Sequence, residues 1–229
     1  MKQQLSFLDM GQGLHVRRIE YEDTIPFLME IHYARRMPCI TDAFGLFEGI
    51  EMIGVVTYGI PPSKFLCEGI AGKENFHKVK ELNRLVILSQ NGSVESERKN
   101  YASFLISHSL KMLENGTFVV SYADTAWTHI GYVYQASNFL YTGLSAARTD
   151  AFQPDGLHPR TSEKGIKNIR QTRSRKHRYV YLVGDKRTKK RMLSQLRYKV
   201  YKKYPKGNEI RYDPNDPKPT IPMQVWTKQ

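Results

Sequence analysis

The apolar positions of the chain fall into short runs whose spacing switches between two and three to four residues, the mark of strands alternating with helices. Leu14 to Ile19 reads as a first strand, and Asp23 to Tyr33 as a helix begun by Asp23 and Thr24. Pro26 falls in the first turn of that helix, where its missing N–H costs nothing. Phe44 to Phe47 and Glu51 to Tyr58 read as a hairpin around Glu48-Gly49, stopped by Pro61-Pro62. Val79 to Leu88 is a longer strand. After the turn Asn91-Gly92-Ser93, the segment Glu95 to Glu114 places Tyr101, Phe104, Leu105, His108 and Met112 on one helical face, ended by Asn115-Gly116. Thr117 to Tyr122 is a strand, Ile130 to Ser137 a short helix, and Phe139 to Tyr141 a strand ending at Gly143. This order predicts an α/β fold in which a long helix lies against a mixed, mostly antiparallel sheet. Further on, Tyr179 to Gly184 is a strand, and the tail from Asp213, with four prolines, reads as an extended arm.

Of the 229 residues, 40% are apolar and 11% aromatic, which supplies a real core and excludes wholesale disorder. The longest apolar stretches, Met52 to Tyr58 and Tyr179 to Val183, are too short to cross a bilayer, and the N-terminus has no apolar signal region. A soluble, unexported protein with no membrane partner is expected. Cys39 and Cys67 stand apart with no CxxC or CxxH spacing, which excludes a disulfide framework and a zinc finger.

Charge changes the picture. The formal net charge is +13, yet residues 1–143 hold 13 basic against 15 acidic side chains, whereas residues 144–229 hold 22 against 7. The expected division is a core over 1–143, a basic nucleic-acid-binding part over 144–212 packed on it, and a proline-rich tail over 213–229. Between Arg160 and Lys206, 18 cations face only Glu163 and Asp185, more than solubility requires and suited to a polyanion. Candidate phosphate contacts are Arg173, Arg175, Lys176, Arg178, Lys189, Lys190 and Arg191. Tyr198, Tyr201 and Tyr204, spaced by three among the cations, are candidates for stacking on an exposed base.

The element order resembles the GCN5-related N-acetyltransferase fold, and Val133-Tyr134-Gln135-Ala136-Ser137-Asn138-Phe139 resembles its LYxxxGF pattern, with Asn138 in place of glycine. Asparagine tolerates the left-handed conformation such a helix end needs. A closer resemblance covers roughly Ile31 to Gly207. The segments HYARRMP, ELNRLVI, SYADTAWTHIGYVYQASNFLYTG and HRYVYLVGDKRTKKR are similar to the Mom family of bacteriophages. That resemblance implies an enzyme of the bacterial host cytoplasm acting on double-stranded DNA. It would convert the exocyclic amine of adenine to a carbamoylmethyl derivative, which shields phage DNA from restriction.

The resemblance carries a catalytic set onto His32 and Tyr33 of HY, Arg84 of ELNRL, Ser121 and Asp124 of SYAD, and Tyr134 of YQ. Acylation of an amine needs an acceptor for its proton, a donor for the developing oxyanion and an acid for the leaving group. Asp124 suits the first or the orienting of adenine, Arg84 the second and Tyr134 the third. Structural roles compete at each position: His32 as a packing histidine, Asp124 as a helix cap, Tyr134 as core, Arg84 as half of an ion pair. His32, Asp124 and Tyr134 hold enough nitrogen and oxygen for a transition metal, but no HxD or HExxH pair supports one, and none is assigned.

Acetyltransferases of this fold cradle the coenzyme A pyrophosphate on a glycine-rich loop at the start of the long helix. Here Arg98-Lys99-Asn100-Tyr101-Ala102-Ser103 puts tyrosine and serine in the glycine places. Arg98 and Lys99, with Asn138, are the candidate donor-holding residues. The donor expected is either acetyl-coenzyme A or, because the family's product carries a nitrogen that acetyl lacks, glycyl-tRNA. That second choice makes tRNA a further partner. The competing readings are an N-acetyltransferase acting on protein, tRNA or a small amine, and a noncatalytic nucleic-acid-binding protein.

Overall fold

A computed structural model describes residues 13–88, 100–152, 166–207 and 224–227. A seven-stranded sheet carries the fold. Its strands are β1 (Leu14–Arg18), β2 (Asp42–Glu48), β3 (Glu51–Gly59), β4 (Val79–Ile87), β5 (Phe118–Asp124), β6 (Leu140–Leu144) and β9 (Lys176–Leu182), in the spatial order β1-β2-β3-β4-β5-β9-β6. Every neighbouring pair is antiparallel except β4 and β5. A second, three-stranded antiparallel sheet joins β7 (Arg148–Phe152), β8 (Ile166–Arg173) and β10 (Val225–Thr227). The last of these strands lies in what the sequence reads as an extended arm. The main sheet is the mixed, mostly antiparallel one expected.

Helices cover both faces. On one face α3 (Tyr101–Met112) and α4 (Tyr132–Ala136) pack over a cluster that includes Phe44, Val56, Tyr58, Leu82, Leu105, Val119 and Tyr179. On the other, α2 (Lys64–Ala71) and α5 (Lys186–Gln195) bury Cys67, Ile70 and Met192 against Phe118, Val120, Val180 and Leu182. The alternation of Phe118 and Val120 with Val119 and Ala123 is the period of a strand buried on both faces. Farther along that second face, Phe27 and Leu28 pack on Val55 and Val86.

The expected helix over 23–33 is two different turns. Backbone N–H of Glu20 donates to the Asp23 carboxylate at 3.1 Å, which starts α1 at Tyr21 and leaves Pro26 as its last residue (Tyr21–Pro26). Proline cannot donate the next ladder bond, and the chain widens into a π-helical turn, Phe27–Ile31, closed by His32 N–H donating to Phe27 O at 2.9 Å. The helices α2 and α5 were not among the elements expected from periodicity. Each has a cap in plain view, Ser63 accepting from Leu66 N–H at 3.3 Å and Asp185 from Thr188 N–H at 2.7 Å. Asn138 takes φ 60°, the left-handed helix end foreseen for it.

The cationic third is woven into the fold. Strand β9 lies between β5 and β6, in register from Phe118↔Leu182 to Asp124↔Lys176, so the expected boundary after 143 falls inside the main sheet. Among the described residues, no helix is long and apolar enough to cross a membrane.

Candidate active site

Two irregularities of β4 build the site. Its parallel pairing with β5 spans only Val79↔Phe118, Lys80↔Val119 and Glu81↔Val120, after which the strands run on without a ladder to Ile87 and Asp124. Just beyond the last pair, Ser121 Oγ, buried, donates to Leu82 O at 3.0 Å and holds the mouth of the gap at a fixed width. The second irregularity is a bulge: Tyr58 pairs with Leu82 and Thr57 with Arg84, leaving Asn83 as an extra residue. In a regular strand Arg84 would share the face of Leu82, beneath α3. The inserted residue turns it to the opposite face, beside Val86 and the π-helical turn.

Asn83 is itself fixed at both ends of its amide. Thr57 Oγ1 donates to its Oδ1 at 2.6 Å, and its Nδ2 donates to Cys39 O at 2.8 Å. That bond ties the segment following His32 and Tyr33 to the bulge. Gly59 permits it, because a Cβ there would stand 1.8 Å from Cys39 O.

His32, Tyr33 and Arg84 come together on this face. The His32 ring stacks on Tyr33 at a centroid distance of 4.3 Å, and Tyr33 meets Trp127 at 5.0 Å. Burial, followed by the positive charges of Arg84 and Arg36 and by His129, lowers the His32 pKa to about 3. The imidazole is therefore neutral at physiological pH. Its Nδ1 accepts from Ala34 N–H at 3.0 Å, so Nε2 carries the proton and the ring offers a donor. Arg84 is held by Nη1 donating to Asn83 O at 2.6 Å, while its Nε, fully buried, has no hydrogen-bond partner among the described residues. Burial also lowers the Arg84 pKa. A buried guanidinium N–H without a partner is costly, and such a group is a place to expect an acceptor from a ligand.

Asp124 closes the group from β5. Its Oδ1 accepts from Ala126 N–H at 3.0 Å, capping the turn Thr125–Trp127, and its Oδ2 accepts from Lys176 Nζ at 2.5 Å. Burial opposes its ionisation, but Lys176 and the hydrogen bonds from Lys176, Ser174 and Ala126 outweigh it and hold the carboxyl below its ordinary pKa. Asp124 is thus both the cap and a permanent carboxylate, better suited to accept a hydrogen bond from an amine than to keep its proton.

The other expected residues lie elsewhere. Tyr134 belongs to the α3 face, its ring against Phe139 and Tyr179 at 5.4 Å each, so the sheet separates it from His32 and Arg84. The gap between β4 and β5 lies between the two sides. Asn138 is exposed at the end of α4, and Arg98 and Lys99 lie outside the described residues. At the start of α3, Asn100 takes φ 69°, and Tyr101 is partly buried with its hydroxyl donating to Glu48 at 3.0 Å. The tyrosine expected to obstruct the helix start is engaged at the end of β2. Sequence reasoning missed Asn83, Trp127 and His129, although all three stand inside the segments ELNRLVI and SYADTAWTHIGYVYQ.

Most of the expected phosphate-binding cations already have partners. Lys176 pairs with Asp124, Arg173 with Asp150 at 3.9 Å, and Arg175 Nε donates to Ser145 O at 2.7 Å. Arg178 donates to Thr142 Oγ1 at 2.9 Å and lies 3.3 Å over the Tyr198 ring. Tyr198 in turn is packed on Gly69 of α2. Lys189 donates to Tyr181 at 3.1 Å, Lys190 is exposed, and Arg191 lines a cavity with Lys78 and Phe118 at the opposite end of β5 from Asp124. Among the described residues, no three His, Cys, Asp or Glu side chains are grouped to hold a metal.

A mostly antiparallel sheet whose single parallel pair splays apart after three residues is the layout of the GCN5-related N-acetyltransferase fold. The model of the Mom protein family matches residues 13–206, and the chain belongs to that family. No curated protein matches it. Among solved structures it is similar to a GNAT-family acetyltransferase from Bacillus cereus, at 14% identity over 74% of this chain and 96% of that one, with a TM-score of 0.41. An N-acetyltransferase from Staphylococcus aureus matches at 14% identity over 75% and 99%, with a TM-score of 0.43. Arabidopsis thaliana NAA60, solved with acetyl-CoA, matches at 14% identity over 74% and 98%, with a TM-score of 0.45.

Proposed function

We propose that this Mom-family protein is an acyl-type transferase that modifies the exocyclic amine of adenine in double-stranded phage DNA, ending in the carbamoylmethyl derivative that blocks restriction. The observation that carries the reading is the buried, unpartnered Nε of Arg84 beside a neutral His32. Arg84 and His32 Nε2 are two donors for the oxygen on which charge develops when an amine attacks an ester or thioester carbonyl. Asp124 accepts a hydrogen bond from the amine and orients its lone pair toward that carbonyl. Tyr33 and Trp127, both partly exposed beside His32, form an aromatic wall for a base drawn out of the duplex. The donor enters by the gap between β4 and β5, which brings its leaving group toward the α3 face and the hydroxyl of Tyr134.

A glycyl ester accounts for the product without an oxidant or a second reactant. Attack of the adenine amine on the glycyl carbonyl breaks the ester bond, and the departing oxygen takes the amine's proton. Attack of the glycyl nitrogen on C6 through a five-membered ring then forms a new C6–N bond as the original bond from C6 to the exocyclic nitrogen breaks. A proton passes from the attacking amine to the released amide nitrogen, giving the carbamoylmethyl amine as an isomer of the first adduct. Nucleosides from DNA of cells expressing the protein and fed ¹⁵N-glycine are to be resolved by mass spectrometry. A carbamoylmethyl-deoxyadenosine labelled on the ring-bound nitrogen supports both steps. The same product without label removes the glycyl donor and returns the choice to acetyl-coenzyme A with a separate nitrogen source. Unmodified nucleosides from well-expressed protein overturn the reading.

A further inference from the structure

The segment after α5 crosses the open edge of the main sheet as a strap. It leaves α2, where Arg197 N–H donates to Ile70 O at 3.3 Å, and passes β6, where Tyr201 N–H donates to Tyr141 O at 2.9 Å. Strand β6 is the last in the sheet, so this bond covers part of an edge that would otherwise be bare. The Tyr201 ring lies on Tyr141 at 5.6 Å and against Gly143, whose φ of 95° and missing Cβ leave room for it. Tyr204 donates to Phe139 O at 2.7 Å, Gln135 Nε2 donates to Pro205 O at 3.4 Å, and the Tyr132 hydroxyl donates to Gly207 O. Gly207 thus ends against Ile130, the residue after His129 of the site.

The strap is anchored through its backbone and tyrosines; Lys199 lies 5.2 Å over the ring of Tyr201, and Lys202, Lys203 and Lys206 are left over. Lys199, Lys202, Lys203 and Lys206 are all exposed, and among the described residues none has a carboxylate partner. No acidic residue occurs between Arg197 and Lys206. This contrasts with Arg173, Arg175, Lys176, Arg178 and Lys189, each committed to an internal contact.

We infer that the strap, residues 197–206, is the surface that docks the phosphate backbone of duplex DNA and leads it to the site. This rests on the reading of the protein as a DNA-modifying enzyme and names the surface that reading requires. A row of exposed cations without carboxylate partners among the described residues, on a fixed backbone, holds phosphates without ordering a loose segment first, and its end at Ile130 sets the register between backbone and pocket.

The test is the affinity of the full chain for an unmodified duplex, measured against salt with no donor present, so that it reads docking whether or not adenine is the substrate. Exchanging Lys199, Lys202, Lys203 and Lys206 for Gln is expected to lower affinity by about tenfold or more at low salt. The log-log salt slope should fall by about 0.9 for each phosphate that is no longer neutralised. Lys186, Arg187, Lys190 and Arg191 of α5 are exposed as well, but Arg191 lines the cavity with Lys78 and Phe118 at the far end of β5 from Asp124, so exchanging these four in the same way is expected to leave both nearly unchanged. Lys202→Gln with Lys203→Gln is the milder pair if the fourfold variant loses its thermal transition, and it should show about half of the slope change. Wild-type affinity and slope in a folded strap variant overturn the proposal. So does an equal loss from α5, or a loss confined to tRNA binding. A strap variant that loses affinity while the wild type leaves DNA unmodified keeps the docking surface and removes the proposed chemistry.

Discussion

Lys176 Nζ stands 2.5 Å from Asp124 Oδ2, joining the first residue of β9 to the last of β5, 52 positions earlier. The pair fixes the charge of the carboxylate that β5 brings to the site, and it does so from the region that composition marks as a nucleic-acid apron. Removing Lys176 leaves the Asp124 carboxylate buried with only hydrogen bonds to offset its charge, and removing Asp124 leaves the Lys176 ammonium partly buried without its carboxylate. A double-mutant cycle with Asp124→Asn and Lys176→Met, read by urea unfolding at pH 7, is expected to give a coupling of about 0.5–3 kcal/mol. Because the Asp124 pKa is lowered in the folded state, its contribution is present above the ordinary carboxylate pKa and is lost as pH falls through the folded value. Lys176→Met should remove most of that acid-side dependence.

His32 sets a second pH dependence. Its folded pKa of about 3 lies below the unfolded value, so between about pH 6.5 and 3 the unfolded chain binds a proton that the folded chain refuses. Stability should fall with decreasing pH across that window by up to about 1.4 kcal/mol per unit from this residue. Above pH 6.5 both states are neutral and the effect vanishes. In His32→Asn the difference between stabilities at pH 7 and pH 5 should shrink accordingly. An unchanged pH slope would show that His32 titrates normally.

Arg84 is expected to matter through geometry as much as charge. Arg84→Lys keeps a cation but lacks the planar Nε–H that the bulge at Asn83 leaves buried and unpartnered. Modification of DNA should fall by about 10²–10³ in turnover in both Arg84→Lys and Arg84→Ala, the range for loss of an oxyanion donor. Thermal midpoints should change far less than activity. Wild-type turnover in the lysine variant would assign Arg84 a charge role alone.

Gly59→Ala probes the clamp behind the site. Its new Cβ would meet the Cys39 carbonyl, a backbone atom that no rotamer change can move. The expected destabilisation is about 1–3 kcal/mol or more, seen as a lower denaturant midpoint at unchanged m-value. Asn83→Ala should disturb the same segment without the clash, losing the bonds to Thr57 and Cys39.

By itself the sequence determined the class of the fold and most of its strands. Alternation in residues such as Phe118 to Ala123, and the turn residues Gly49 and Gly116, are local properties that the chain states directly. Motif resemblance named His32, Tyr33, Arg84, Ser121, Asp124 and Tyr134 as one group; the tertiary structure brings His32, Tyr33 and Arg84 together with Trp127 and His129 of the turn that Asp124 caps, and leaves Tyr134 apart. What only the tertiary structure decided depends on contacts between distant segments. One extra residue in β4 turns Arg84 across the sheet, a choice made by pairing with β3 and invisible in the order of residues. The sheet puts Tyr134 on the far side of the gap because α4 packs with α3. Charge counting marked the C-terminal third as one cationic surface. Pairing consumes many of those charges inside the fold and leaves the lysines of the strap exposed, since a cation's availability is set by its neighbours in space and not by its neighbours in the chain.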